Sequence, residues 1–143
     1  MKLNIQNPNS KRIAEIYTGG IVFPGCIAVI SGTTAVLGAA SIAVNAATIL
    51  GIFLEHAHAS VKVPIELFGG AAIVQGEYTG TTKTTLTDAD LGKYIDIVVS
   101  TTTEANDTQK FNLDDLAGPF VIVGYDNDKK LCFAKPCAAA RMI

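Results

Sequence analysis

The two histidines of this chain, His56 and His58, stand two residues apart beside a glutamate in the stretch Glu55-His56-Ala57-His58. Residues i and i+2 of a strand share a face, so this spacing would set both imidazoles where one metal ion or one proton-transfer step could use them. A zinc centre needs three or four ligands, and a third would have to come from far along the chain. The competing reading is a corner between two strands, and the expectation is that no metal is held. Asp126, Asn127 and Asp128 also gather oxygen ligands. They lack the glycine and the closing glutamate of an EF-hand loop, and the run Asp126-Asn127-Asp128-Lys129 reads as a solvated hairpin tip. Asp88, Asp90, Asp96, Asp114 and Asp115 are the carboxylates from which a glycosidase pair would be drawn, but all occupy turn-like contexts and none stands out. The chain carries no Gly-x-Ser-x-Gly elbow, no Gly-x-x-x-x-Gly-Lys phosphate loop and no His-Glu-x-x-His. Cys26, following Pro24-Gly25 in an apolar run, reads as a small core residue rather than a nucleophile. The expectation is a protein that is not an enzyme, with no catalytic residue and no cofactor.

Composition narrows the classes further. With 143 residues, 49% of them apolar, the chain has the size of one domain with one ordinary core. A formal charge of -2 gives no general attraction to nucleic acid or anionic lipid. The three cysteines, Cys26, Cys132 and Cys137, are odd in number and widely spaced, and the first residues lack the apolar core of a secretory signal. Reduced thiols in a protein made in a cytoplasm are expected. Residues 16–54 contain no charged residue and no histidine, which raises the question of a membrane span. Gly19-Gly20, Pro24-Gly25, Ser31-Gly32-Thr33-Thr34, Gly38, Ser41 and Asn45 interrupt that region at short intervals, so it reads as a series of short buried strands.

The elements that must position any site are strands. Residues 19–37 read as an extended run, a Pro-Gly turn, a run from Cys26 to Ile30 and a Ser-Gly-Thr-Thr corner. The apolar segment 46–54 fits helix or strand, and Gly51 with no helix cap favours strand. In residues 60–68, Val61, Val63, Ile65 and Leu67 alternate with polar neighbours, a half-buried strand. Pro64 places it at an edge or bulge. Further strands are expected over 71–78 and 93–100, with a capped turn between them from Thr87 to Gly92. A polar excursion over 101–110 precedes a hairpin of 120–125 with 130–135. The fold class is therefore all-β, a small antiparallel sandwich or barrel, jelly-roll-like, with residues 1–12 as an extended arm and 13–143 as a single domain.

The order of these segments resembles that of the auxiliary head proteins of tailed bacteriophages, called decoration, cement or capsid-stabilising proteins. The resemblance rests on GGIVFPGCIAVISGTTAVLGAAS, then ATILGIFLEHAHASVKVPIEL, then TLTDADLGKYIDIV, then FVIVGYDNDKKLCFAK, and spans about residues 19–135. Similar proteins show an ILGIxLExAxA strand, an alternating VxVxI strand, an LTxADxGKxxDI turn and a late VIVGYD hairpin in this order. Cys26 and the paired histidines depart from the pattern. The resemblance implies a structural virion protein on the outer surface of the capsid. It would be homotrimeric, bind the major capsid protein, hold neighbouring capsid subunits together, and have neither nucleic-acid nor membrane partners. On that reading the histidine stretch turns the chain. Partner contacts are expected from Leu3, Ile5, Lys11 and Arg12 of the arm and from Ile21, Val22 and Phe23 of the first apolar run. Two other classes fit the sequence: a virion-displayed module that binds glycans or receptors through polar loops at 79–87 and 101–110, and a small phage membrane protein built on the charge-free segment.

Overall fold

The computed structural model describes residues 4–5, 12–37, 49–68, 72–99 and 109–137. Within them the chain is all-β. Its strands are β1 (Asn4–Ile5), β2 (Arg12–Tyr17), β3 (Ile27–Ser31), β4 (Thr34–Leu37), β5 (Ile49–Phe53), β6 (Lys62–Leu67), β7 (Val74–Thr79), β8 (Tyr94–Val99), β9 (Gln109–Asn112), β10 (Phe120–Asp126) and β11 (Leu131–Pro136). A 3₁₀ turn, Asp88–Asp90, lies between β7 and β8. Of the forms expected, the barrel is the one found. Strands β7, β11, β10, β8 and β9 run in that order, and β9 returns to pair with β7, closing a five-stranded ring. Four of the five contacts are antiparallel. The closing one is parallel, with Tyr78 opposite Phe111 and Thr79 opposite Asn112.

A second sheet, in the order β2-β6-β5-β3-β4, is antiparallel throughout. Its two outer strands approach each other at one end, where Thr18 bridges Ala35 in parallel and the Gly19 N–H donates to the Ala35 carbonyl at 3.0 Å. The sheet therefore curls around its own small core of Val22, Ala28, Leu50, Phe53, Val63 and Ile65. Its convex face packs on the barrel. Ile27, Val29, Ile49 and Ile52 join the barrel's interior cluster, which contains Phe120 with Phe68 and Phe111 edge-on at 5.9 and 5.6 Å. Such perpendicular aromatic pairs contribute about 0.5–1.5 kcal/mol each beyond their buried area. A polar bond also crosses the junction: the Ile27 N–H donates to Oε1 of buried Gln109.

Most of the strands expected from the sequence are present. The Ser31-Gly32-Thr33-Thr34 corner joins β3 to β4, with Gly32 at a φ of 63°. The turn at 87–92 is a capping box: the Thr87 N–H and hydroxyl donate to the Asp90 carboxylate at 2.9 and 3.3 Å, and Gly92 ends the turn at a φ of 85°. Three expectations change. β6 is an interior strand, flanked by β2 and β5. Pro64 is tolerated because its peptide plane faces β5 just where that strand peels away: the Leu54 N–H donates to the Pro64 carbonyl at 3.1 Å, and only the return bond is lost. β9 occupies the end of the stretch read as a polar excursion, with Gln109 and Phe111 turned inward. Arg12, assigned to the arm, is the first residue of β2, paired with Leu67.

β5 dictates how the two units join, since all five of its residues are buried. A bulge sets Leu50 and Gly51 together opposite Ala28, between the Ile27–Ile52 and Val29–Ile49 pairs. This switches the strand's alternation so that Ile49 and Ile52 face the barrel while Leu50 and Phe53 face the second core. A Cβ on Gly51 would lie 2.0 Å from the Glu66 carbonyl oxygen, a backbone atom that cannot step aside. Gly51→Ala should therefore destabilise the fold by at least about 1–3 kcal/mol, the usual cost of overpacking, read as a fall in the urea midpoint. Gly20→Ala, where a Cβ meets nothing within 4 Å, should leave the midpoint nearly unchanged.

Candidate partner-binding surface

The histidine stretch is a strand-to-strand corner held from below. Ala57 pairs with Val22, their backbones exchanging bonds of 2.8 and 3.1 Å, which turns Ala57 inward and both imidazoles outward. The rings lie 5.3 Å apart at 67°, and His56 stacks on Phe23 at 5.4 Å and 10°. The shared face expected from the spacing is therefore present. Among the described residues, no group of three or more His, Cys, Asp or Glu side chains is placed to hold a metal ion. Buried Thr18 fastens the turn that follows. Its hydroxyl donates to the His58 carbonyl at 2.5 Å and accepts from the Val61 N–H at 3.3 Å, while its backbone pairs with Ser60 and Val61 at 2.9 Å each.

The residues expected to meet a partner are dispersed. Leu3 and Lys11 lie outside the described residues. Ile5 sits in β1, opposite Val74 of the barrel, so this part of the arm is laid along the edge of β7 beyond the end of β9. Ile21 is half-buried. Val22 and Phe23 must be corrected: they are 0% and 6% exposed and belong to the core. The bridge to Ala57 and the ring of His56 cover them, so they are not available as surface.

Exposed apolar side chains gather elsewhere, on the outer face of β2 and β6. In the β2–β6 register Tyr17 stands opposite Lys62, Glu15 opposite Pro64 and Ile13 opposite Glu66. Ile13 and Tyr17 are 55% and 57% exposed, and Leu54 extends the same face beside Pro64. Lys62 Nζ lies 5.9 Å from the centre of the Tyr17 ring, a cation–π contact. The result is an outward-facing sheet surface of apolar residues interleaved with charges, the make-up of a protein-binding face more than of a small-ligand pocket. The signal lay in Arg12-Ile13-Ala14-Glu15-Ile16-Tyr17, where large apolar residues fall on both parities of one strand. Glu15 shares the parity of Ile13 and Tyr17, which marks that parity as the one turned to solvent. A smaller exposed group, Leu91, Tyr94 and Val123, lies on the barrel's outer wall.

The threonine-rich loop after β7 is organised from within. Asp114 accepts from the backbone N–H of Thr81, Thr82 and Lys83 and from the Thr81 hydroxyl, at 2.7 to 3.1 Å. These donors hold its carboxyl down at about 2. Asn127, expected in a solvated tip, is instead a clamp: it accepts from the Tyr78 hydroxyl and the Leu86 N–H and donates to the Leu86 carbonyl. Asp90 is 1% exposed and meets Lys83 at 2.9 Å and Lys93 at 3.2 Å. Burial pushes its carboxyl up, but the two lysines and the Thr87 N–H outweigh that and hold it well below the ordinary range. The polar groups of the 79–87 loop thus serve its own order, and residues 101–108 lie outside the described residues. None of the three cysteines is in a disulfide, and burial pushes the Cys132 thiol up to about 12, which leaves it protonated and inert. No helix among the described residues is long and apolar enough to cross a membrane.

No protein-family model matches this chain, and no curated protein matches it significantly.

Two carboxylates should respond to acid with opposite sign. Because the native carboxyl of Asp90 is depressed, its contribution is complete above the unfolded value near 4 and is lost as pH falls below it. Asp90→Asn should cost about 1–3 kcal/mol at pH 7, with the loss shrinking in strong acid. Asp96 is raised, chiefly by burial and further by nearby Asp115, against the pull of the Ile97 N–H. Its ionisation therefore opposes folding at neutral pH, and Asp96→Asn should raise the midpoint at pH 7 and give no gain at about pH 3. Urea midpoints of both variants across that range test both statements.

Proposed function

We propose that this chain is a structural protein of a tailed-bacteriophage virion, a decoration or cement protein that binds the outside of the head and stabilises contacts between major capsid proteins. It acts by binding, without catalysis or cofactor, as a homotrimer on the capsid's outer surface after synthesis in the host cytoplasm. The observation that carries this reading is the outer face of β2 and β6, where exposed Ile13 and Tyr17 alternate with Glu15 on a sheet whose other side packs a core of its own. Three further features support it. The ordered segments resemble those of such proteins. In the polar loop after β7 the backbone N–H groups of Thr81, Thr82, Lys83 and Leu86 are taken up by Asp114 and Asn127, which leaves fewer donors for a glycan there. The β1 strand shows that the N-terminal arm can add to a sheet edge.

The mechanism is linkage. A protein that binds the assembled, expanded shell and not the free subunit stabilises the shell by mass action, and repetition at many equivalent junctions multiplies a modest affinity. A threefold oligomer presents the same face to each capsid subunit around a junction.

Purified chain mixed with empty, expanded capsids of its own phage should co-sediment saturably at a fixed ratio, and light scattering should report a trimer of the free chain. Ile13→Ser and Tyr17→Ser should each weaken capsid binding on the order of tenfold, about 1.4 kcal/mol, with unchanged urea midpoints because both side chains are outside the core. Absence of binding by a folded wild-type chain would sink the proposal.

A further inference from the structure

Among the described residues β2 is the end strand of its sheet, and no strand pairs with the outward backbone edge of its first half. The pattern of bonds fixes which residues present that edge. Along β6, Pro64 and Phe68 bond toward β5, since the Leu54 N–H donates to the Pro64 carbonyl and the Phe68 N–H to the Leu50 carbonyl. Alternation then turns Val63, Ile65 and Leu67 toward β2, where they stand opposite Ile16, Ala14 and Arg12. Ile13 and Glu15 therefore point their N–H and C=O groups away from β6. β4 covers the edge only from Thr18 onward, through the Ala35 bridge. Among the described residues no strand pairs with Ile13 or Glu15 on that side.

We infer that this edge is a strand-addition site, at which an extended segment of the partner protein pairs with Ile13 to Ile16 and continues the sheet. The inference deepens the decoration reading and rests on it for the partner's identity. The outer face specifies the segment's chemistry. Ile13, Glu15 and Tyr17 alternate there, all exposed, so an added strand places three of its own residues beside them at i, i+2 and i+4. The outer two meet apolar side chains. The central one meets Glu15, whose neighbour across the sheet is uncharged Pro64, while Lys62 is engaged over the Tyr17 ring. The complementary segment is apolar-x-basic-x-apolar. A second copy of this chain does not meet that description in full: antiparallel self-pairing centred on Ala14, Glu15 or Ile16 brings no cation to Glu15, and the register centred on Ile13 brings Lys11 to it but sets polar Asn9 opposite Tyr17.

The decisive variant is Glu15→Pro in the full-length chain. Its N–H is not used toward β6, so proline removes the edge donor and fills the approach without breaking a ladder bond. Co-sedimentation with expanded capsids should weaken at least about tenfold for Glu15→Pro, corresponding to 1.4 kcal/mol, and by less for Glu15→Ala, which keeps the edge and loses only the charge. Hydrogen exchange on the wild-type chain gives a readout independent of any variant: the Ile13 and Glu15 amides should exchange rapidly in the free protein and become protected on the capsid. Unchanged capsid binding by Glu15→Pro, or amides that stay unprotected in the bound state, overturns the inference while leaving the decoration reading intact. Should the wild-type chain not bind capsids, that reading falls and the edge is judged with the peptide Thr-Val-Thr-Lys-Thr-Val-Thr. Protection of the same two amides by this peptide, and not by one with Glu in place of Lys, sustains strand addition, and no protection by either overturns it.

Discussion

β5 has a hydrophobic interior on each side, and the rest of the molecule is arranged around that requirement. Ile49 and Ile52 lie in the barrel's cluster while Leu50 and Phe53 lie in the second core, so no residue of the strand can carry a polar side chain. Regular alternation would not deliver this pattern over five residues. The bulge at Leu50 and Gly51 does, and it needs a residue without a side chain because the Glu66 carbonyl is pressed against the Cα of Gly51. Strand β3 follows the same division, with Ile27 and Val29 toward the barrel and Ala28 toward the second core. The two units therefore share one wall, and displacing β3 or β5 opens both interiors at once.

Away from that wall, order is maintained by polar anchors instead of apolar burial. The segment between β7 and β8 supplies one large apolar side chain to the barrel, Leu86. Its backbone is held at three points by side chains remote in sequence or at the turn itself: Asp114 near the start, Asn127 at Leu86, and Asp90 with its lysines at the end. Each anchor satisfies amide groups that would otherwise need water, so the loop can cap the barrel without joining its core. Anchors of this kind are sensitive to charge in a way the shared wall is not.

Much of this was legible in the sequence because it is local. Alternation in residues 60–68 revealed β6, the glycine-bearing corner revealed the β3–β4 hairpin, and Thr87 with Asp90 and Gly92 revealed the capped turn. What was illegible depends on contacts distant in sequence. Asn127 looks like an ordinary turn residue until Tyr78 and Leu86 are found against it. Gln109 and Phe111 look like the end of a polar stretch until β9 closes the ring on β7. Val22 and Phe23 were expected to meet a partner because their cover, Ala57 and His56, lies more than thirty residues away. The same limit explains the arm: nothing in Asn4-Ile5 announces that its partner is Val74 and Gln75.

The two units also treat their edges differently. Parallel pairing of β7 with β9 closes the barrel, and β1 covers Val74 and Gln75 of β7, which β9 does not reach, so among the described residues the barrel leaves no long template for another chain. Among the described residues the second sheet closes at Thr18 and Ala35. Before that point no described strand pairs with the outer edge of β2, and Glu15 stands at its middle on the exposed face. A charge at the centre of an edge strand is a common defence against indiscriminate pairing, because an uncharged or acidic strand must desolvate it without recompense. The same charge admits a strand that brings a cation to that position. Among the described residues, closure of one unit and a guarded opening in the other would direct strand pairing to an edge with a defined charge requirement, so that selectivity comes from the charge a wrong strand fails to supply as much as from the contacts a right one makes.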